Sequence, residues 1–388
     1  MAIEFLQYPA SCSLAQSPIV CAVSESVSGS IASSSFQYIG ELYYWTGSVD
    51  QSGSLPQFTL AKFPNTSLSG IFDFSKIINS TLEEPIEANP SNVVFLKGDF
   101  YHQYISASAF VTSSHVETGI YRAIDGYALY QEPITQSIAD KTPYWPMMTD
   151  GPATQSVYDN NKGQMGAFVG DIGDDIAIQI IYSGSNDTIN TVLLPNSANT
   201  SGQIANFPIG IEESNFPLSG DLEWYTVQAK TSTTLLGSPI KFEVICEKKY
   251  PNVRLKWKNR FGQFDFHNFN LVSREAFSTR IKTFQRQIGS WAQPTLSYEN
   301  YDSATQNYSA DSTQTLSVNS DYISEDYNEI LKQLLVSDEI YWMYDEAGDD
   351  LRPITITTNS INFKTNVVDK LIQYSFDFQY GQAYKLIL

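Results

Sequence analysis

The sequence predicts a mainly β protein, with two or three β-sandwich-like domains in tandem and one short helix in the C-terminal domain. Apolar and polar residues alternate with a period of two along most of the chain, as in strands that bury one face. Clusters of Gly, Asn, Pro, Asp and Ser separate these stretches, as turns do. Aromatic residues make up 13% of the chain, with 24 Tyr and 22 Phe against 5 Met, and Tyr and Phe favour strands.

The chain is long enough for more than one core. Its 388 residues exceed the roughly 250–300 residues at which a single hydrophobic core stops growing. We therefore expect an N-terminal β-sandwich domain at 1–90, a middle β-sandwich domain at 91–240 and a β-rich C-terminal domain at 241–388.

Short strand-like stretches predict the first two domains. In the N-terminal domain they lie at 19–23, 36–45 and 58–63, and a turn with a short helix at 70–78 closes the domain. Residues 143–152 hold too many Pro and Gly residues for regular structure, and their aromatic side chains indicate a loop that packs down or forms a contact surface. The strand-like stretches of the middle domain are 93–96, 101–111, 119–129, 164–169, 177–182, 191–194 and 223–229.

The C-terminal domain combines strands with the single helix, predicted at about 324–337. Ser324 is a suitable N-cap, and a polar stretch rich in Tyr and Ser, 299–320, precedes it. Apolar residues then recur at helical spacing on one face. These residues are Tyr327, Ile330, Leu331, Leu334 and Leu335. The strand-like stretches of this domain are 242–246, 254–257, 340–344, 354–358 and 371–380.

The charge pattern limits the classes of partner. A net charge of −19 and a sequence pI near 4.5 oppose non-specific binding to nucleic acid or to anionic membranes. Residues 1–240 carry 7 basic and 23 acidic residues, and residues 291–388 carry 5 and 15. Residues 241–290 reverse this balance with 11 basic and 4 acidic residues, so one basic island lies in an acidic chain.

Cysteine use and hydropathy indicate a polypeptide made in the cytoplasm. Cys12, Cys21 and Cys246 are too few and too scattered for a disulfide framework or a CxxC metal site, and we expect reduced packing residues. We see no basic segment followed by an apolar stretch at the N-terminus, and no run approaches the ~18 apolar residues of a membrane span. We expect no membrane insertion.

Residues suited to catalysis or metal binding are few, so we expect a non-enzymatic protein without cofactor, metal or catalytic residues. His102, His115 and His267 fit no metal motif, and no nucleotide-binding or hydrolase motif is present. Two acidic clusters, 171–175 and 345–350, offer oxygen ligands for calcium but lack EF-hand spacing, and we interpret them as hairpin loops. Paired carboxylates of a glycoside hydrolase would leave no sequence signature.

The basic island is the most distinctive feature. Within residues 248–266, the cations Arg254, Lys256 and Lys258 alternate with other residues and therefore share one face of a strand. Basic residues interleaved with aromatic ones suit nucleic acid, whereas an acidic protein can use the same patch to contact the acidic surface of a neighbouring subunit. We prefer the subunit contact over nucleic acid, with a solvated strand face as an equal alternative.

The residues that follow carry a resemblance. The spacing of Trp257, Asn259, Gly262, Asp265 and Phe269 resembles a W-x-N-x-x-G-x-x-D-x-x-x-F signature of virion structural proteins of tailed bacteriophages that infect Bacteroidota. In the usual form a second glycine or a bulky residue follows the glycine, where this chain has glutamine. Further stretches similar to this group are 17–20, 70–78, 331–337, 340–344, 353–356 and 369–378.

The same residues have a physical interpretation as a structural hairpin. Trp257 supplies a large anchor, and Asn259 and Gly262 suit a turn that needs positive φ. Asp265 is placed to cap that turn by accepting hydrogen bonds from backbone amides.

The resemblance implies a virion component, tail- or neck-associated, that is made in the host cytoplasm and works by assembly. Its expected partners are other copies of itself and neighbouring virion proteins, in a symmetric ring or adaptor. If the ring encloses a channel, its acidity would let DNA pass without specific binding. Two alternatives stay open: a receptor- or carbohydrate-binding virion protein, and a polysaccharide-degrading hydrolase.

Overall fold

The structure, a computed structural model, confirms the mainly β prediction: it is 53% strand and 6% helix. The longer of its two described α-helices lies near the C-terminus, as expected. The residues that the structure describes are 3–25, 34–47, 56–82, 93–169, 176–184, 189–195, 204–213, 216, 222–246, 249–290, 292, 294–345, 350–365, 372–382 and 384.

Two sheets form the first unit. A three-stranded sheet has the order β1-β3-β6, and a second sheet has the order β2-β10-β7-β4-β5, with β8 and β9 paired to β7. Side chains from both sheets, among them Val23, Phe72, Leu42 and Phe100, share one core, as in a β-sandwich. The elements are β1 Ile3–Gln7, β2 Cys12–Leu14, β3 Val20–Glu25, β4 Gln37–Thr46, β5 Phe58–Lys62, β6 Ser69–Asp73, α1 Ser75–Ser80, β7 Val93–Ser106, β8 Ala109–Thr112, β9 Val116–Glu117 and β10 Tyr121–Ile124.

The second unit pairs a five-stranded sheet of order β11-β17-β16-β13-β14 with the two-stranded sheet β12-β15. Its core joins Ile180 and Phe242 of the larger sheet to Phe207 of the smaller one. The predicted loop 143–152 packs down onto this unit, because Met147 and Met148 are fully buried. The elements are a 3₁₀ turn Ile138–Asp140, β11 Thr154–Tyr158, β12 Gln164–Phe168, β13 Ala177–Gly184, β14 Ile189–Pro195, β15 Ile204–Pro208, β16 Leu222–Lys230 and β17 Leu235–Ile245.

The third unit is a seven-stranded sheet of order β19-β18-β22-β23-β24-β21-β20, covered by the helix α2. Leu331 and Leu334 of the helix pack against Trp257 and Phe376 of the sheet. The predicted helix is confirmed, with a 3₁₀ turn before it. The elements are β18 Val253–Lys258, β19 Phe264–Phe269, β20 Arg274–Gln285, β21 Thr305–Asn319, the 3₁₀ turn Glu325–Tyr327, α2 Asn328–Val336, β22 Ile340–Met343, β23 Leu351–Ile356 and β24 Ser375–Tyr380.

The expected domain boundaries at 90 and 240 do not coincide with breaks between sheets. Strand β7 begins beyond residue 90 but pairs along ten positions with β4, which lies before it. Strand β17 runs through residue 240 and pairs with β11 and β16 on the middle side. Polar turn clusters mark the ends of strands equally within a sheet and between domains, so they misplaced both boundaries.

A fourth apolar cluster lies between the units and joins them. It contains Cys12 and Phe95 of the first unit, Phe168 of the second and Phe261 of the third. Because these side chains are nearly or fully buried, the three units share interior surface as well as chain connections.

Within the described part of the chain, no helix has the length and apolar character needed to cross a membrane.

Candidate functional site

The motif predicted from the sequence lies inside the protein. Strand β18 runs between β19 and β22, and all six of its residues are buried. Trp257 and Phe269 are fully buried in the core of the third unit, as expected for Trp257 as an anchor. Arg254, Lys256 and Lys258 share one face, but this face is also buried. The interpretations of these cations as a solvated face, a subunit contact or a nucleic-acid patch are therefore wrong.

Arg254 ties the third unit to the second. Its Nε donates to the carbonyl oxygen of Lys162 at 2.9 Å, and its Nη1 donates at 3.1 Å to the side-chain oxygens of both Asn161 and Asn268. The guanidinium also lies 5.0 Å from the ring centroid of Phe266. Burial lowers the pKa of Arg254 to about 10, so the group still carries its charge at neutral pH.

The two lysines of the same face are held in different ways. Lys256 Nζ lies 4.3 Å from the ring centroid of Phe264. Lys258 Nζ lies 2.9 Å from an oxygen of Asp125 and 3.0 Å from one of Asp338. Burial opposes the charged form of Lys258, but the two carboxylates outweigh burial and raise its pKa. Lys258 therefore links the first unit to the third.

Asn259, rather than Asp265, caps the turn of the motif. Its side-chain oxygen accepts hydrogen bonds from the backbone amides of Phe261 at 3.0 Å and Gln263 at 3.1 Å. Its side-chain amide donates to the carbonyl oxygen of Met148 at 2.9 Å. Gly262 has the predicted positive φ, at 67°. The expectation that Asp265 caps these amides is wrong, because the asparagine is nearer in the chain and needs no ionised group in a buried turn.

Arg260 is the centre of a polar network that sequence reasoning missed. It is 3% exposed, and its Nε donates to Asp150. Its Nη1 donates to Glu132 at 2.7 Å, and its Nη2 donates to the carbonyl oxygen of Lys141 at 2.8 Å. Gln333 of α2 accepts from the backbone amide of Arg260 and donates to Asp150 at 2.9 Å. These partners lie 73 to 128 positions away in the chain, so no local pattern indicates them.

Asp265 and His267 are buried on one face of β19. Asp265 accepts a hydrogen bond from the Thr149 hydroxyl at 2.6 Å, and its other oxygen has no hydrogen-bond partner among the described residues. Burial raises the pKa of Asp265 to about 7, against the opposing hydrogen bonds from Thr149 and Asn259. Burial likewise lowers the pKa of His267 to about 4, with a smaller contribution from Arg254.

These two groups are expected to make opposite contributions to the pH dependence of stability. Unfolded Asp and His titrate near 3.9 and 6.5, so between these values the folded state retains a proton on Asp265 and lacks one on His267. The Asp265 contribution weakens stability as pH rises, and the His267 contribution weakens it as pH falls. In Asp265→Asn we therefore expect the free energy of unfolding to fall more steeply on acidification than it does in wild type. The two slopes should differ by up to about 1.4 kcal/mol per pH unit.

The measurement is urea unfolding of single and double variants at several pH values between about 4.5 and 6.5. His267→Gln should change the slope in the opposite direction, and the double variant should run parallel to wild type. Two single variants with the same slope as wild type would contradict the assignment.

The remaining sequence candidates have structural contacts. His102 is buried with its Nε2 3.8 Å from Glu25, and burial lowers its pKa. Cys12 and Cys21 are buried and Cys246 is exposed, and none of the three forms a disulfide. In the second acidic cluster, the Asp350 amide donates to Asp345 at 2.9 Å between the paired strands β22 and β23, which fits a hairpin loop. Residues 171–175 and 346–349 lie outside the described residues.

Among the described residues, a long exposed β-hairpin lies at the edge of the third unit. It is formed by 274–285 and 305–317 and is called the arm below. Strand β20 is the outermost strand of its sheet, and all 12 of its residues are exposed. Strand β21 pairs with β24 only from Thr315 onward, so the arm is a two-stranded ribbon beyond that point. At ~3.3 Å per residue the ribbon extends roughly 30 Å.

The arm carries apolar side chains on its exposed surface. Phe277 and Ile281 lie on one face of β20 and are 51% and 52% exposed. This face continues the core face of the sheet. Glu275, on the same face as Phe277 and Ile281, is paired with Leu316, and Leu316 is paired with Phe378. Leu316 and Phe378 are both buried. Sequence analysis assigned no strand here, and the only signal was the spacing of Phe277 and Ile281 among Ser and Thr residues.

Comparison with known proteins identifies no family. No family model and no curated protein matches this chain. Among solved structures, a mutant of Salmonella alpha-2-macroglobulin aligns with 97% of this chain at 8% sequence identity and a TM-score of 0.17. The alignment covers 27% of that protein, so this chain spans about a quarter of its length. A similarity at this level carries no argument about fold or function, and the candidate function depends on the arm and the buried network.

Proposed function

We propose that this chain is a structural component of a tailed-phage virion, a ring or adaptor protein of the tail or neck that acts through protein–protein assembly. The observation that carries the assembly role is the exposed arm. The resemblance of the Trp257-to-Phe269 motif to virion structural proteins supports the particle as its location. The buried network around Arg260 supports a rigid body that holds the arm in a fixed direction.

The arm has the properties of an assembly element. A two-stranded hairpin is marginally stable alone in water, and a long exposed edge strand presents unpaired backbone groups to any other strand. Phe277 and Ile281 add apolar surface that would be removed from water on contact, at about 25 cal/mol per Å². A contact that covers this face and pairs the edge of β20 would stabilise the arm and hold two molecules together.

The partner of the arm is a second copy of this chain. Strand β20 carries Arg274, Arg280 and Lys282 against one acidic residue, Glu275, whereas the whole chain has a net charge of −19. Two β20 strands side by side would bring like charges together, which disfavours a symmetric contact between arms. A contact of the basic strand β20 with the acidic body of the next copy is favourable, and this head-to-tail contact generates a ring when its rotation closes.

The arm predicts the oligomeric state. Changing Phe277 and Ile281 together to Glu should shift the full-length protein from an oligomer to a monomer that still unfolds cooperatively, because both side chains are half exposed in the single chain. Light scattering after size-exclusion chromatography measures the mass, and thermal unfolding measures the Tm. Phe110→Glu is the matched control, since Phe110 is 71% exposed on another hairpin strand, β8, and its variant should keep the oligomer.

A wild-type protein that stays monomeric at high concentration, or a double variant that assembles as wild type does, would contradict the arm contact. Antibody labelling of purified phage particles tests the location separately. Label at the tail or neck is the expected result, and unlabelled particles would contradict the virion assignment.

A further inference from the structure

A group of metal-binding side chains lies in the first unit, far in sequence from the motif. Glu41 on β4 and Asp99 on β7 are directly opposite each other in the antiparallel pair. His115, just before β9, places its Nδ1 2.7 Å from Asp99 Oδ2. One donor atom from each of the three residues lies within 4.8 Å of the other two.

Among the described residues, one potential ligand atom of this group, an oxygen of Asp99, accepts no hydrogen bond. Asp99 is 7% exposed, and its Oδ1 is buried without a hydrogen-bond partner among the described residues. A buried carboxylate oxygen without a partner is costly, and two carboxylates directly opposite in a sheet repel each other. Lys97, the cation on the same strand, is engaged by Glu117 at 2.6 Å. Within the described residues, no lysine or arginine pairs with Glu41 or Asp99, so a bound cation would supply the counter-charge of these two carboxylates.

Two tyrosines orient the second carboxylate. The hydroxyl of Tyr101 donates to Glu41 Oε1 at 3.2 Å, and that of Tyr43 donates to Oε2 at 3.4 Å. The ring of Tyr101 also stacks on His115, with centroids 4.2 Å apart. Hydrogen bonds to the outer oxygens of a ligand carboxylate and stacking on a ligand imidazole are the means by which proteins fix metal ligands.

We propose that Glu41, Asp99 and His115 form a binding site for Zn²⁺. An imidazole nitrogen with two carboxylate oxygens matches the donor set of zinc, whereas calcium and magnesium take oxygen ligands. Ligand atoms that surround zinc as a tetrahedron at about 2.0–2.1 Å lie roughly 3.3 Å from one another. Side-chain rotations that move the donor atoms by about an ångström or two would therefore complete the site. The side chain of His115 is 49% exposed, which leaves the fourth position open to water.

Zinc at this position would link β4, β7 and the segment before β9. It would neutralise the opposed carboxylates and replace the His115–Asp99 hydrogen bond by two bonds to the ion. The consequence is a first unit that is more stable with zinc than without it, whether or not the chain assembles through its arm.

Calorimetric titration of the full-length chain with ZnCl₂ tests the site. The parent protein carries Cys246→Ser, because the exposed Cys246 thiol is a zinc ligand in its own right. We expect saturable binding of one zinc ion per chain and a rise in Tm, with no such effect from CaCl₂ or MgCl₂. His115→Gln and Glu41→Gln should each weaken zinc binding at least about tenfold.

Glu117→Gln is the matched control, since Glu117 is a neighbouring carboxylate directly opposite Asp99 but outside the group, and its variant should keep the affinity. Equal Tm values of parent and variants in EDTA would show that folding is unchanged. The proposal is overturned if the parent binds no zinc saturably, or if both ligand variants bind it as the parent does. A parent protein that binds no zinc would reduce the group to a hydrogen bond between His115 and the buried Asp99.

Discussion

Replacing Arg260 with alanine should destabilise the fold by about 3–5 kcal/mol, because the change leaves the Asp150 carboxylate buried without its cation. Side-chain exposure is 4% for Arg260, 9% for Asp150 and 18% for Glu132. Burial raises the pKa of Asp150 even with Arg260 present, so without the guanidinium its charged form becomes still less stable. Urea unfolding at neutral pH measures the loss.

A surface arginine supplies the control. Arg286 pairs with Asp302 at 3.3 Å, but its side chain is 41% exposed, so Arg286→Ala should cost less than about 1 kcal/mol. Arg260→Lys should fall between the two, since lysine keeps the charge but not the planar fork that reaches Asp150 and Glu132 together. Equal losses for Arg260→Ala and Arg286→Ala would contradict a stabilising role of the network.

The cost of Arg260→Ala should also shrink at low pH. Protonation of Asp150 removes the unpaired negative charge, and a variant that lacks Arg260 gains more from this step than wild type does. A cost independent of pH would instead indicate that only packing was lost.

Local sequence patterns predicted the structural features that depend on residues close together in the chain. Strand β24 shows the alternation that sequence analysis identified, with Phe376 and Phe378 buried and Ser375 and Asp377 exposed. The anchor role of Trp257 and the positive φ of Gly262 were also predictable, because both follow from the needs of one hairpin. The C-terminal helix was also predictable from near neighbours, because apolar residues at helical spacing define its buried face.

Long-range contacts decided the features that sequence analysis missed. Alternating cations on a strand are normally solvated, but here Arg254 and Lys258 are buried beside residues far away in the chain, among them Asn161 and Asp125. Strand β20 was missed for the opposite reason. All its residues are exposed, so no buried face imposes apolar alternation on its sequence.

Gly262→Ala should destabilise the protein by about 2–4 kcal/mol. The glycine has φ of 67°, which is unfavourable for alanine, and an added Cβ would lie 2.3 Å from the carbonyl oxygen of Asp125. The carbonyl oxygen belongs to the backbone, and the backbone also fixes the position of the Cβ, so no side-chain rotation relieves the contact. Gly119→Ala is the control, since a Cβ there meets nothing within 4 Å, and unfolding of both variants in urea measures the difference.

The turn at Gly126, on the other side of this backbone contact, tests whether the contact between the Gly126 and Gly262 loops joins the first and third units. Gly126 has φ of 128°, and its added Cβ would lie 2.3 Å from the carbonyl oxygen of Arg260. Each alanine forces the same two loops apart, so the combined loss in Gly126→Ala with Gly262→Ala should be smaller than the sum of the single losses. Additive losses would mean that the two loops yield independently. A sub-additive result would identify the close backbone contact as the device that holds Asp125 beside Lys258 and the motif turn beside the first unit.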